Sequence, residues 1–94
     1  MLIDNKRAIA RFVQAHSDAR VPAQEWLEKV EAASWRNFLE VRKTFNSADY
    51  VKPFVIFNIG GNNYRLLTEI SYTSGVVQIF AVGTHAEYNK WKLK

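Results

Sequence analysis

The stretch Val55-Ile-Phe-Asn-Ile-Gly-Gly-Asn-Asn-Tyr-Arg-Leu-Leu67 decides the fold that this sequence predicts. Residues 55–59 are rich in β-branched and aromatic side chains, which fit a pleated, half-buried surface. Residues 60–63, Gly-Gly-Asn-Asn, supply residue types that tolerate a positive φ, as short hairpin turns require. The stretch therefore predicts a β-hairpin whose second strand runs from Tyr64 to Tyr72.

Three helices are predicted before this hairpin, because apolar residues recur there at helical spacing. Asp4 is expected to cap the first helix, and Ser34 the third. Pro22 suits the first turn of the second helix, where its missing N–H does no harm. The residues of the third helix expected to face the core are Trp35, Phe38, Leu39 and Val41.

More sheet is predicted around and after the hairpin. Tyr50-Val51 is expected to form a short strand before it. Residues 76–83 are nearly continuously apolar, which is typical of an inner strand. Thr84-His-Ala-Glu87 fits the capping box that opens a helix, so a short C-terminal helix or turn should follow. This order predicts one α+β domain over residues 1–94, with N-terminal helices packed on one face of a small antiparallel sheet.

The composition narrows the class of protein. A chain of 94 residues that is 48% hydrophobic is long enough for a single core. The absence of cysteine excludes a disulfide framework and a zinc–thiolate site, and it suits a reducing cytosol. Because there is neither a long apolar run nor an apolar leader, we expect a cytoplasmic protein that makes no contact with a membrane.

The charges favour an anionic partner for the second half of the chain. The net charge is +4, and residues 53–94 hold four Lys/Arg against only two Asp/Glu. The four cations of this half, which have few acidic residues near them in sequence, are Arg65, Lys90, Lys92 and Lys94. The alternative is a basic surface without a specific role.

Three residues are candidates for phosphate chemistry. The guanidinium of Arg65 offers a rigid fork of donors suited to phosphate, although it could instead be a surface arginine paired with Glu69. His85 can exchange a proton near neutral pH, and Tyr88, three residues later, shares its helical face. The alternative for this pair is a capping box followed by a packing tyrosine. We expect no metal site and no cofactor, since the two histidines are far apart in sequence.

Two stretches together resemble the HigB toxins of the RelE/ParE superfamily. They are the hairpin at 55–66 and Gly83-Thr-His-Ala-Glu-Tyr-Asn-Lys90. The segments 35–38, Trp-Arg-Asn-Phe, and 45–49, Phe-Asn-Ser-Ala-Asp, are also similar to this family. The resemblance covers nearly the whole chain and implies a RelE-like fold.

The resemblance implies a toxin that cleaves messenger RNA on the translating ribosome without a metal. A helix-turn-helix antitoxin, HigA-like, would neutralise it, and the toxin would meet DNA only through that antitoxin. The ribose 2′-OH would attack the adjacent phosphate, with Arg65 as phosphate clamp, His85 as general acid or base, and Tyr88 orienting the phosphate or stacking on a base. The further residues predicted to bind RNA are Lys52, Phe80, Lys90 and Lys92.

Two departures from the family pattern leave other functions open. Members often carry Arg or Lys where this chain has Phe80, and Asp where it has Asn89. A lost strand cation would weaken stabilisation of the transition state, although Phe80 could instead stack on a base. The alternatives are a non-enzymatic inhibitor like the gyrase-binding ParE branch, and a toxin-derived binding module that has lost catalysis.

Overall fold

The computed structural model describes residues 1–61 and 63–93, and it contains one five-stranded sheet with helices. The elements in chain order are β1 (Leu2–Asp4), α1 (Lys6–Ala15), a 3-10 turn (Ser17–Ala19), α2 (Arg20–Ala32), α3 (Phe38–Thr44), β2 (Asp49–Val51), β3 (Phe54–Ile59), β4 (Tyr64–Ser71), β5 (Val76–Thr84) and α4 (His85–Tyr88). The strand order is β1-β5-β4-β3-β2. The predicted α+β class is confirmed.

The hairpin of β3 and β4 is confirmed. The two strands are antiparallel, with Asn58 opposite Arg65 and Ile59 opposite Tyr64. Gly60 and Gly61 have φ of 63° and 67°, which is the left-handed region where a side chain would be strained. The predicted turn residue Asn62 lies outside the described residues.

The prediction of a purely antiparallel sheet is wrong. Strand β1 pairs in parallel with β5, so the sheet is mixed. Asp4 belongs to this strand, opposite Gln78, and does not cap α1. The position before α1 is Asn5, whose side-chain amide donates a 3.0 Å hydrogen bond to the Ile79 carbonyl. A strand of three residues is too short to show a period of two, which is why the sequence did not reveal it.

The third helix begins later than predicted. Asn37 caps it by accepting a 3.0 Å hydrogen bond from the Glu40 N–H, so Ser34 is not the cap. Trp35 lies before the helix and is still buried. Because the helix starts at Phe38, its inward stripe falls on Val41, and Leu39 is 70% exposed instead of facing the core.

The core contains a cluster of aromatic rings around Phe57. This residue is fully buried on β3, and its ring centroid lies 5.3 Å from Trp26 of α2 and 6.2 Å from Trp35. The Phe45 ring, which follows α3, is 5.1 Å away. Phe57 therefore joins the sheet to α2 and to the segments on either side of α3, and its edge-to-face contacts with Trp26 and Phe45 add to the free energy of apolar burial.

The alternation of β4 gives the sheet two different faces. Leu66 and Thr68 are fully buried on the face that carries the core. Arg65 and Leu67 project from the opposite face, where successive strand residues must point. The C-terminal segment packs against that opposite face, which also carries the candidate site.

Truncation of Phe57 tests the position of the core. We expect Phe57→Ala to lower the free energy of unfolding by about 3–5 kcal/mol, because it leaves a cavity between the sheet and two tryptophans. Leu39→Ala is the matched control and should change it by less than about 0.5 kcal/mol, because that side chain is exposed. Urea unfolding followed by tryptophan fluorescence measures both values. Equal losses in the two variants would contradict this core.

Candidate active site

Arg65 forms the floor of the candidate site. It lies on β4 between Asn58 of β3 and Gly83 of β5, and it is only 7% exposed. One terminal nitrogen donates a 3.2 Å hydrogen bond to the Tyr64 carbonyl, and the guanidinium carbon lies 5.3 Å from the centre of the Tyr88 ring. The alternative of a surface arginine is therefore wrong. A guanidinium stacked on an aromatic ring is held in one orientation by the cation–π contact.

Helix α4 brings the C-terminal residues back over Arg65. The Thr84 hydroxyl accepts from the Glu87 N–H at 3.1 Å, and the Glu87 carboxylate accepts from the Thr84 N–H at 2.9 Å. Both hydrogen bonds of the predicted capping box are thus present. The His85 N–H donates to the Asn63 carbonyl at 3.0 Å, which attaches the helix to the hairpin turn. These bonds fix where the side chains of α4 point.

His85 and Tyr88 lie together on α4. Their ring centroids are 6.4 Å apart and nearly perpendicular, and His85 is exposed to solvent. The Asn89 amide nitrogen lies 3.3 Å from Nδ1 of His85. An amide at this position can hydrogen-bond one ring nitrogen of an imidazole and so orient the ring. The three predicted catalytic residues therefore form one chain of contacts, from Arg65 through Tyr88 to His85.

A cleft of about 350 Å³ opens above Arg65 and Tyr88. Arg42 of α3 and Asn58 of β3 line it, and both carry nitrogen donors suited to phosphate oxygens. Asp49 also lines it, with one carboxylate oxygen accepting from the Tyr50 N–H. Among the described residues that line the cleft, two are arginines and one is a carboxylate, a balance that favours an anionic ligand.

The four residues predicted to bind RNA lie at different distances from this cleft. Lys90 and Lys92 follow α4 and are exposed near Tyr88, with Lys92 lining a neighbouring cavity. Phe80 is 46% exposed on β5 and contacts Phe54, with ring centroids 5.7 Å apart. Lys52 precedes Phe54, about 13 Å of strand away from Asn58, so it is not close to Arg65.

Several site residues were not among those predicted. Asn58 could have been found from the hairpin register, since a four-residue turn sets it opposite Arg65. Arg42 could not, because only the packing of α3 brings it to the cleft. Only one feature of the sequence indicated a group at the position of Trp91. That feature is the glycine inside β5, since a strand glycine often marks the close approach of another group. A side chain at Gly83 would meet Trp91 at 2.8 Å.

The comparison with known families identifies the chain. The sequence model of the HigB toxins, the RelE-like toxic component of a toxin–antitoxin system, matches residues 19–91. The chain belongs to the HigB toxin family. The match includes Arg65, His85 and Tyr88, so the candidate site of this HigB-family toxin lies within the shared region. As the toxin of a toxin–antitoxin system, it has an antitoxin as its partner.

No curated protein is significantly similar to this HigB-family chain. Within residues 1–61 and 63–93, no helix is long and apolar enough to cross a membrane. In the same part of the chain, no three His, Cys, Asp or Glu side chains are grouped as metal ligands would be.

The capping box should stabilise this HigB-family toxin. We expect Thr84→Ala to lower the free energy of unfolding by about 1 kcal/mol, because the Glu87 N–H loses its acceptor. Thr73→Ala is the control, since Thr73 is exposed in the β4–β5 turn. Urea unfolding at neutral pH measures both. A loss in the control as large as in Thr84→Ala would contradict the role of the cap.

Glu87 makes that stability depend on pH. Its pKa lies below the ordinary value of 4.5, mainly because the carboxylate accepts from the Thr84 N–H, with smaller contributions from the Thr84 hydroxyl and the charges of His16 and Lys90. A lowered pKa stabilises the fold above the unfolded value, and this contribution is lost as pH falls through the folded value. The wild type should therefore be more stable than Glu87→Gln at neutral pH, and the difference should shrink in acid, as the pH falls below 4.5 and through the folded pKa. An unchanged difference in urea midpoint at both pH values would contradict this.

Proposed function

We propose that this toxin is an endoribonuclease that cleaves messenger RNA on the ribosome by attack of a ribose 2′-OH on the adjacent phosphate. One observation carries the proposal: a nearly buried arginine, stacked on Tyr88, forms the floor of a cleft that a second arginine also lines, and the Tyr88 ring contacts the ring of His85. The planar guanidinium offers a fork of donors that matches the oxygens of a phosphate, so a phosphodiester is the kind of ligand that suits this cleft.

The reaction needs only two proton transfers and stabilisation of one phosphate. The bond from O2′ to phosphorus forms as the 2′-OH loses its proton, and the bond from phosphorus to O5′ breaks as O5′ gains one. The products are a 2′,3′-cyclic phosphate and a free 5′-OH. His85 takes up the first proton or delivers the second, since imidazole exchanges protons near neutral pH. The reaction proposed here uses no metal and no cofactor.

Arg65 and Tyr88 would act on the phosphate itself. Charge on the non-bridging oxygens rises as phosphorus becomes five-coordinate, and preorganised donors stabilise that charge. Arg65 is preorganised because the Tyr88 ring and the Tyr64 carbonyl already hold it. The Tyr88 hydroxyl would donate to the phosphate or its ring would stack on a base. Lys90 and Lys92 would add attraction for the RNA chain.

The partners follow from this function. The substrate would be messenger RNA bound to the ribosome, which places the toxin in the cytoplasm. A helix-turn-helix antitoxin of the HigA type would neutralise it, and contact with DNA would be made through that antitoxin. Lys52 and Phe80 stay candidates for contacts with RNA outside the cleft.

The proposal predicts which variants lose cleavage. On induction in growing cells, the wild type should create new transcript 5′ ends, which end mapping detects. Arg65→Ala should lower the rate of cleavage about 10²- to 10³-fold, because one preorganised donor to the transition state is lost, and His85→Ala should also reduce cleavage strongly. Arg7→Ala is the matched control, since it removes an exposed arginine of α1 and should retain cleavage.

Three outcomes would contradict the proposal in different ways. Cleavage that persists unchanged in both Arg65→Ala and His85→Ala would remove these residues from the site. Growth arrest with intact transcripts would exclude the endoribonuclease, and DNA-damage signalling would then indicate a target like that of the ParE branch. Harmless expression of the wild type without an antitoxin would indicate a binding module.

A further inference from the structure

A second cavity lies beside the cleft above Arg65, and its lining is more apolar. It has a volume of about 500 Å³ and is formed largely by the segment that follows α4. Its walls are mainly apolar and aromatic, with one cationic side chain. The residues that line it are Val51, Tyr88, Asn89, Trp91, Lys92 and Leu93.

Tyr88 lines both cavities. On one side its ring stacks on the Arg65 guanidinium, 5.3 Å away. Its ring also meets that of Trp91 edge-on, with centroids 5.6 Å apart. A site for one phosphate and an apolar aromatic site are therefore separated by a single residue. A nucleotide has the same arrangement, since one sugar joins its phosphate to its base.

Trp91 is held in place before any ligand binds. Gly83 of β5 has no side chain, and a Cβ there would lie 2.8 Å from Cζ2 of Trp91 and 3.2 Å from Cβ of Glu87. Glu87 is fixed in turn by the capping box. The indole ring thus rests on the strand beside Arg65, and no side-chain ordering is needed when a flat ligand stacks on it.

We propose that this cavity binds the nucleobase adjacent to the phosphate at Arg65, with Trp91 as the stacking platform. Aromatic side chains that stack on splayed bases are a common way of holding single-stranded RNA, and every base offers a flat face. The cations Lys92 and Arg65 suit the negative charge of the same strand. The inference rests on the proposed function for the phosphate, and it adds Trp91 and this cavity to the residues already proposed to contact the RNA.

The fluorescence of Trp91 is an intrinsic probe of this site. Trp26 and Trp35 are 1% and 5% exposed, whereas Trp91 is partly exposed. A base that stacks on Trp91 should quench the fluorescence of the purified toxin. The ligands to compare are a 2′-O-methyl RNA trinucleotide, which the proposed reaction cannot cleave, the same molecule without its bases, and inorganic phosphate.

We expect quenching by the trinucleotide and not by its abasic form or by phosphate, and no quenching in Trp91→Phe. Affinity measured with a labelled trinucleotide should fall roughly 10- to 100-fold in Trp91→Ala and little in Trp91→Phe, which keeps a ring. The abasic form should bind Trp91→Ala as it binds the wild type. Arg65→Ala should weaken binding of both ligands, because it acts on the phosphate.

The results separate this inference from the proposed function. Equal loss of affinity for both ligands in Trp91→Ala would mean that Trp91 only supports Tyr88, and it would overturn the inference. Absence of quenching in the wild type would also overturn it, even if Trp91→Ala failed to fold. Base-dependent binding without any messenger cleavage would uphold the base site and contradict the endoribonuclease.

Discussion

The structure depends on how the strand that carries Arg65 divides its side chains between two faces. Leu66 and Thr68 are fully buried in the core, so the register of β4 cannot shift without exposing them. Arg65 must then project from the other face, where it is 7% exposed. A cation in that position needs neighbours that tolerate it, and the Tyr64 carbonyl and the Tyr88 ring provide them. The C-terminal segment is therefore part of the site and more than a terminal extension of the sheet.

The sequence predicted the parts of the fold that depend on local chemistry. The Gly60-Gly61 turn and the alternation of residues 64–70 specified the hairpin, since positive φ and a period of two are local properties. The capping box at Thr84 and Glu87 is local in the same sense, and both of its hydrogen bonds are present. These two features placed Arg65 and His85 on neighbouring elements.

The sequence could not predict contacts between distant segments. The parallel pairing of β1 with β5 joins residues more than 70 positions apart, and three strand residues carry too little pattern to indicate it. Leu39 shows the same limit at the level of one helix, because a start at Phe38 turns it outward. In the candidate site, Arg42 and Trp91 are brought close to Arg65 and Tyr88 only by the packing of distant segments. Lys52 is the opposite case, because it is near the hairpin in sequence and is not close to Arg65 in the structure.

Phe80 and Asn89 are the two positions at which the resemblance to the HigB toxins implies a departure from the usual residue. Phe80 is the extra residue of a β-bulge, because Leu67 pairs with Ala81 while Thr68 pairs with Ile79. The bulge brings its exposed ring against Phe54, away from the Arg65 cleft that Arg42 shares. The Asn89 amide nitrogen lies 3.3 Å from Nδ1 of His85, so the uncharged side chain at this position still contacts the histidine. Neither departure removes a group from the chain of contacts between Arg65 and His85.

The activity proposed for this cluster is cleavage of RNA through the 2′-OH of its substrate. The most direct measurement is the chemistry of the ends that purified toxin produces on ribosome-bound messenger. We expect a 5′-OH on the downstream fragment, a 2′,3′-cyclic phosphate on the upstream one, and no cleavage where the attacking ribose is replaced by deoxyribose. A 5′-phosphate with a 3′-OH, or cleavage at the deoxy position, would contradict it.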